Sequence, residues 1–444
     1  MTFPILGGNG AVGGYAIDNS LRFNDGDSAY LSRTNSSGGS RKIFTFSCWF
    51  KKSTLGSASD DQILFSSWDG SNGILIQVDS NDLLQVYSKV GGTVKLNVRS
   101  EMVFRDVSAY YHLVVKFDSN STNLDLYVNG VEISQTVVVA FTDADHEINE
   151  SGGTHYICSM DGSSRFWDGY LAETHFIDGT AKAPTDFGEF DEDSGIWKPI
   201  QYSGSYGTNG FYLDFENSGS LGADQSGNGN NFTPTNLAST DQTTDTPTNN
   251  FATLNPLNAD HSGAWSFSEG NSKFQATTTD WVGTSSTQGV NTGKWYAEFK
   301  MTTLTTSAHI GIGASSWFSS GAVTGDPTVT SGNRYSRYLT GVSDANEGKI
   351  ADTSGGLVTY GSNTGASTGD IISVAMDLDN NKVYWATNGT WENSANPATN
   401  TNGFSINADT YQFGVWGYQS TSEANFGNPS FSISSGNSDG NGYG

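Results

Sequence analysis

The chain has 444 residues and a formal net charge of −25; glycine fills 54 positions, hydrophobic residues make up 35% and aromatic residues 12%. So many rings argue against disorder, because they are the side chains that a chain too polar to fold lacks. Acidic residues outnumber basic ones in both halves, so neither offers a positive face to a polyphosphate, and nucleic-acid binding is excluded.

No stretch approaches the ~20 apolar residues needed to span a bilayer, so no membrane insertion is expected. Residues 1–15 are too glycine-rich and uncharged for a secretory signal, so release by lysis or inside a particle is the expectation. From residue 20 onward, short apolar/polar alternations bounded by Gly, Asn, Asp and Ser recur, and helical periodicity is almost absent. Residues 44–50 (FTFSCWF) read as one strand, with Cys48 as a small buried residue between phenylalanines. Whether Cys48 bridges to Cys158 stays open. Residues 73–78 and 83–87 read as a strand pair, and residues 111–117 face 124–128. Asn129-Gly130 suits the two positive-φ positions of a type I′ turn and closes a hairpin onto 131–133.

Residues 184–260 differ. Five of the nine prolines fall there, at 184, 199, 234, 247 and 256, among Ser/Thr/Asn/Asp-rich runs. Proline cannot donate to a sheet ladder, so this stretch is expected to be a connector. Strands resume at 293–300, 309–313, 371–377 and 382–386, with Asn388-Gly389 as another tight turn. The expected fold is all-β: two antiparallel β-sandwich, jelly-roll-like domains. The expected divisions are a glycine-rich arm (1–18), a first sandwich (19–183), a connector closing onto both domains (184–260), a second sandwich (261–432) and a tail (433–444).

Residues 20–23 (SLRF) with 29–31, 44–51, 110–117 (YYHLVVKF), 126–131 (LYVNGV) and 166–173 (FWDGYLAE) follow one another as in the concanavalin A-like, laminin-G-like sandwich, which the first domain resembles. Residues 293–299 (GKWYAEF), 310–313 (IGIG) and 369–379 (GDIISVAMDLD), with Tyr384, Asn388-Gly389 and 425–427 (NFG), make the second domain resemble a SPRY-type sandwich. That resemblance implies protein binding through variable loops, here 315–338 and 355–368. The pairing, with residues 187–197, 210–215, 225–232 and 249–256 between the domains and 3–10 (FPILGGNG) at the start, resembles virion proteins of marine tailed phages. It implies a fibre, spike or decoration subunit on the virion surface, made in the host cytoplasm. Its partners would be other virion proteins, copies of itself (a trimer is favoured), and a host-surface glycan or protein. A secreted cellular lectin is the alternative reading.

Three kinds of site are open. Glu189, Asp191 and Asp193 alternate as in the Glu-x-Asp-x-Glu strand of concanavalin-like glucanases, where retaining hydrolysis needs two carboxyls about 5–5.5 Å apart. Their Gly/Ser-bounded setting reads as a solvated acidic loop, so no enzyme is expected. Calcium takes several hard oxygen ligands. The cofactor reading is accordingly none certain, with Ca2+ from Asp25 and Asp27, from Asp60 and Asp61, or from Asp224 and Asn228. The six histidines, at 112, 146, 155, 175, 261 and 309, show no ligand spacing. For a sugar, an aromatic ring beside polar turn residues can stack while amides and carboxylates orient hydroxyls. Trp68-Asp69, Trp167-Asp168 and Trp391 are the candidates.

Overall fold

The computed structural model describes residues 14–56, 61–259, 265–277, 279–319, 327, 332–361, 365–427 and 429–431. Residues 1–13 of the glycine-rich arm, the tail, Asp60, His261 and parts of the loops 315–338 and 355–368 lie outside the described residues. The chain divides into two units at Asn250/Phe251. Both are antiparallel β-structures, and the protein is all-β. No helix among the described residues is long and apolar enough to cross a membrane.

In the first unit two sheets enclose one core. One sheet runs from the hairpin of Asn123–Val128 and Val131–Glu132 through Tyr111–Asp118, Ile43–Lys52 and Gly169–Asp178 to Ser20–Phe23. The other runs from Gln135–Val139 through Thr93–Val103, Leu83–Val90, Gly73–Val78, Gln62–Trp68 and Thr154–Ile157 to Tyr30–Thr34. Strand Ile43–Lys52 shows the logic. Phe44, Phe46, Cys48 and Phe50 turn inward at the period of two. Phe44 stacks on Phe117 at 4.5 Å and Phe46 on Phe65 at 5.2 Å. Each ring so buried contributes about 1.5–3 kcal/mol. Cys48 and Cys158 are both buried free thiols, and burial pushes both pKa values up.

The outward residues of the same strand, Thr45, Ser47, Trp49 and Lys51, are buried as well. Residues 184–250 cover them. Phe187, Trp197, Tyr202 and Tyr206 pack on the outer face of the first sheet, against Trp49, Val114, Tyr170 and Ile177. Trp197 donates its Nε1–H to His112 Nδ1 at 2.9 Å. Burial pushes the His112 pKa down to about 3, with His175 adding to the effect. The stretch also supplies strands: Phe211–Leu213 and Gln242–Thr243 extend the first sheet, and Thr233–Thr235 the second. Its prolines and polar residues therefore punctuate a third layer anchored by aromatic side chains.

The Asn129-Gly130 turn has φ of 48° and 77°. A Cβ on Gly130 would run into the Trp197 ring. Gly130→Ala is therefore expected to lower the urea midpoint of the first unit, costing more than about 1 kcal/mol through strain and clash. An unchanged midpoint would mean that Trp197 is not seated on the turn.

The second unit is built on two long strands, Lys294–Ala314 and Tyr411–Asn425, which pair along most of their length. Bulges between Met301 and Thr303 and between Leu304 and Ser307 bend the first of them. Residues 294–300 pair with Ile371–Asp377, and residues 307–313 with Arg334–Thr340. One sheet thus turns a corner to make both layers of a sandwich. Phe299, Met301, Ile310, Ile312, Trp385 and Trp416 fill its core, and Trp385 donates Nε1–H to the Ile310 carbonyl at 3.0 Å.

Candidate functional site

The first unit carries a surface cleft of about 390 Å³ at one end of its second sheet, lined by Ser67, Trp68, Asp69, Gly70, Glu147, Glu150, Gly152, Gly153, Thr154, Tyr156 and Asp161. Its walls follow from strand register. Trp68 ends the strand Gln62–Trp68 and lies opposite Gly73 across a tight turn. Gly73 has φ of 152°, and a Cβ there would meet the Ser67 carbonyl and Trp68 itself, so only glycine lets the strands close on the ring. Asp69 caps that turn, accepting from the Asn72 and Ser71 N–H groups at 2.6 and 2.8 Å. These backbone donors hold its carboxyl below the usual carboxylate range. Tyr156 stands on the neighbouring strand Thr154–Ile157, paired with Ser66.

Trp68 is partly exposed, with Tyr87 tilted against it at 6.3 Å. Its indole nitrogen is buried and has no hydrogen-bond partner among the described residues. Tyr156 leans on Tyr30 at 6.1 Å. Glu147 and Glu150 share Arg41, at 2.9 and 2.7 Å. Burial and then the neighbouring Glu150 raise the Glu147 pKa. Burial alone would raise the Asp161 pKa, but hydrogen bonds from Ser163 and Ser164 outweigh it and hold the group low. Two aromatic faces beside partly exposed carboxylates, hydroxyls and backbone can stack a ring and accept hydrogen bonds from hydroxyl groups.

The other aromatic candidates lie elsewhere. Trp167 is fully buried in the core with Phe50 edge-on at 5.6 Å, so its ring offers no face to a ligand. Asp168 is 3% exposed and accepts from Thr54 Oγ1. Both lie inside the fold: Trp167 precedes the strand Gly169–Asp178 and its ring joins the core. Trp391 belongs to the second unit, partly exposed and edge-on to Tyr384 and Tyr296 at 6.4 and 6.5 Å.

The calcium candidates are not brought together. Asp25 and Asp27 flank an exposed turn, where Asp27 accepts from Asn24. Asp60 lies outside the described residues, and Asp61 is paired with Arg165 at 3.0 Å and accepts from Gln77. Asp224 accepts from the N–H groups of Tyr212, Ser226 and Asn230. The Asn228 side chain faces the Gly207 and Gly210 carbonyls with its amide N–H groups. The carboxylate oxygens of Asp61 and Asp224 are taken by protein donors, which a hard cation would have to displace. Among the described residues no three His, Cys, Asp or Glu side chains form a metal-binding group.

Glu189 lies in the short strand Gly188–Phe190, and Asp191 closes the turn that follows it. Both carboxylates reach Lys198 at 3.3 Å. The Asp191 pKa is held down to about 2 by the Ser194 backbone and side chain and by Lys198. A general acid needs the opposite shift.

Sequence alone had no means of placing Glu147, Glu150, Tyr156 and Asp161 beside Trp68. The THYI alternation at 154–157 is the one local signal, and it says strand rather than site.

Comparison with known proteins adds a family for part of the chain. Residues 24–184 match the laminin-G-type family described as the concanavalin A-like lectin/glucanases superfamily. The first sandwich is concanavalin A-like. No curated protein matches the chain. Among solved structures, it is similar to the SPRY domain of human HERC1 (14% identity, 38% of this chain and 96% of that one, TM-score 0.30). It is also similar to a putative carbohydrate binding protein from Bacteroides ovatus (15%, 50% and 58%, 0.37). A third is a heptameric SAP-like pentraxin from Limulus polyphemus (15%, 37% and 78%, 0.29).

Proposed function

We propose that the protein is a non-enzymatic structural subunit of a phage particle, a fibre, spike or decoration protein, that holds a host-surface glycan in the Trp68 cleft. The cleft carries this reading: it sets Trp68 and Tyr156 among the carboxylates of Asp69, Glu147, Glu150 and Asp161. The concanavalin A-like family of residues 24–184, which includes lectins, supports a sugar as ligand. The tandem of two sandwiches and the motifs between them support the virion setting. Oligomerisation, with a trimer favoured, belongs to the same reading.

The test is binding of the purified protein to a glycan array and to intact marine bacteria, with and without a calcium chelator. Saturable binding is expected, and Trp68→Ala should remove it. Chelator should leave binding in place, since none of the described calcium candidates lines the cleft. No binding to either surface would leave a purely architectural protein. Sugar release is expected neither from the wild type nor from Glu189→Gln; release that the Gln variant loses would make the acidic hairpin a hydrolase site instead.

A further inference from the structure

The buried end of strand Ile43–Lys52 carries an arrangement that packing alone does not require. Lys51 is fully buried, opposite Tyr170 in the ladder, with its Nζ over the Tyr110 and Tyr170 rings at 5.6 and 5.5 Å. Nζ donates to Asp245 Oδ2 at 2.9 Å and to the side-chain carbonyl oxygen of Asn250 at 2.8 Å. Asp245 and Asn250 come from one turn, closed by reciprocal backbone bonds between Thr246 and Asn249. The Asp245 carbonyl is pinned by Ser20 and Tyr110. Asn250 Nδ2 donates to the Ser108 carbonyl at 2.6 Å, which fixes the plane of the amide.

We propose that Lys51 and Asn250 become joined by an amide bond between their side chains, with Asp245 carrying the protons. Asp245 takes one proton from the Lys51 ammonium group through their hydrogen bond. The freed lone pair on Nζ attacks Cγ of Asn250, the atom next to the oxygen it already contacts. Asp245 passes the proton to Nδ2, the Cγ–Nδ2 bond breaks, and nitrogen leaves as ammonia, taking up the remaining proton as ammonium. No oxidant, nucleotide or metal is needed, and Asp245 ends as it began. Fixing both partners in contact makes the step unimolecular, an advantage worth effective molarities on the order of 10⁵ M or more in well-oriented systems. The product covalently closes the segment 51–250 at the last residue of the first unit.

The experiment is intact-mass measurement of the full chain under denaturing conditions, followed by proteolysis and peptide mapping. The expected result is a mass lower than the sequence mass by one ammonia, with a branched peptide linking Lys51 to Asn250. Asn250→Ala, a change at a half-buried side chain, should restore the sequence mass expected for that variant. Asp245→Asn keeps the shape but removes the proton acceptor, and should leave the ammonia in place. Unaltered mass with free Lys51 and Asn250 peptides overturns the proposal. So does loss of ammonia without a branched peptide, which would mean that Asn250 had cyclised on its own backbone.

Discussion

Replacing Asp82 by Ala is expected to destabilise the first unit by about 3–5 kcal/mol, the cost of leaving a buried charge without its partner. Asp82 is 1% exposed. Its Oδ1 accepts from Lys52 Nζ and the Gly56 N–H at 2.7 Å, and its Oδ2 from Arg105 Nε at 2.8 Å. Lys52 is equally buried, and burial already holds its pKa below the usual lysine value despite the carboxylate. Without Asp82 that ammonium must lose its proton or pull water into the sheet. Arg105 is mostly exposed, so Arg105→Ala should cost no more than about 1 kcal/mol. Asp82 has φ of 63°. Asn suits that conformation, so Asp82→Asn should keep the turn, lose the charge and fall between the two. Acid should act in the same direction. Burial raises the Asp82 pKa, but the bonds from Lys52 and Arg105 outweigh it and leave the folded value below the ordinary one. The stability it brings is therefore full above the unfolded value of about 3.9 and is lost as pH falls through the lower folded value. Urea titrations at pH 7 and below pH 4 check this. An Asp82→Ala midpoint within error of the wild type at pH 7 would sink the argument.

The fold was legible because alternation is a strong signal in strands packed on one face. The alternation of 44–50, the Asn129-Gly130 hairpin and the 371–386 pair all appear where the residues place them. Residues 184–250 were harder to read. Pro184 and Pro247 sit in turns while Pro199 and Pro234 lie within short strands, and a run of prolines looks the same in a linker as in a layer laid over a sheet. The distinguishing signal was the spacing of Phe187, Trp197, Tyr202, Tyr206 and Phe211, which has no period because the segment is not one element. That layer explains why Thr45, Ser47 and Lys51 alternate as though facing water and yet are buried. The site was legible in part. Trp68-Asp69 and Trp167-Asp168 look alike as dipeptides, and only strand direction distinguishes them. Trp68 closes a strand at a turn, whereas Trp167 precedes one and points into the core. Glu147, Glu150 and Asp161 come from loops whose approach to Trp68 is a product of the sheet order.

That difference makes the second large prediction. Trp167→Ala should cost about 3–5 kcal/mol, as expected for an aromatic side chain removed from a packed core. Trp167 is fully buried, edge-on to Phe50, and beside Gly169, where a Cβ would press on its indole nitrogen and on the Lys51 carbonyl. The variant should melt lower, yet the fraction that folds, assayed well below its Tm, should bind glycan as the wild type does, because the cleft residues are untouched. Trp68→Ala should do the reverse. Its ring is partly exposed and its nitrogen forms no bond among the described residues, so the loss in stability should stay near 1 kcal/mol. An aromatic anchor at the centre of a binding site is worth about 2 kcal/mol or more, so glycan affinity should fall at least tenfold. Thermal melts and glycan binding measured on the same two variants separate the roles. Wild-type affinity in Trp68→Ala would remove the cleft as the sugar site, whatever happens to Trp167.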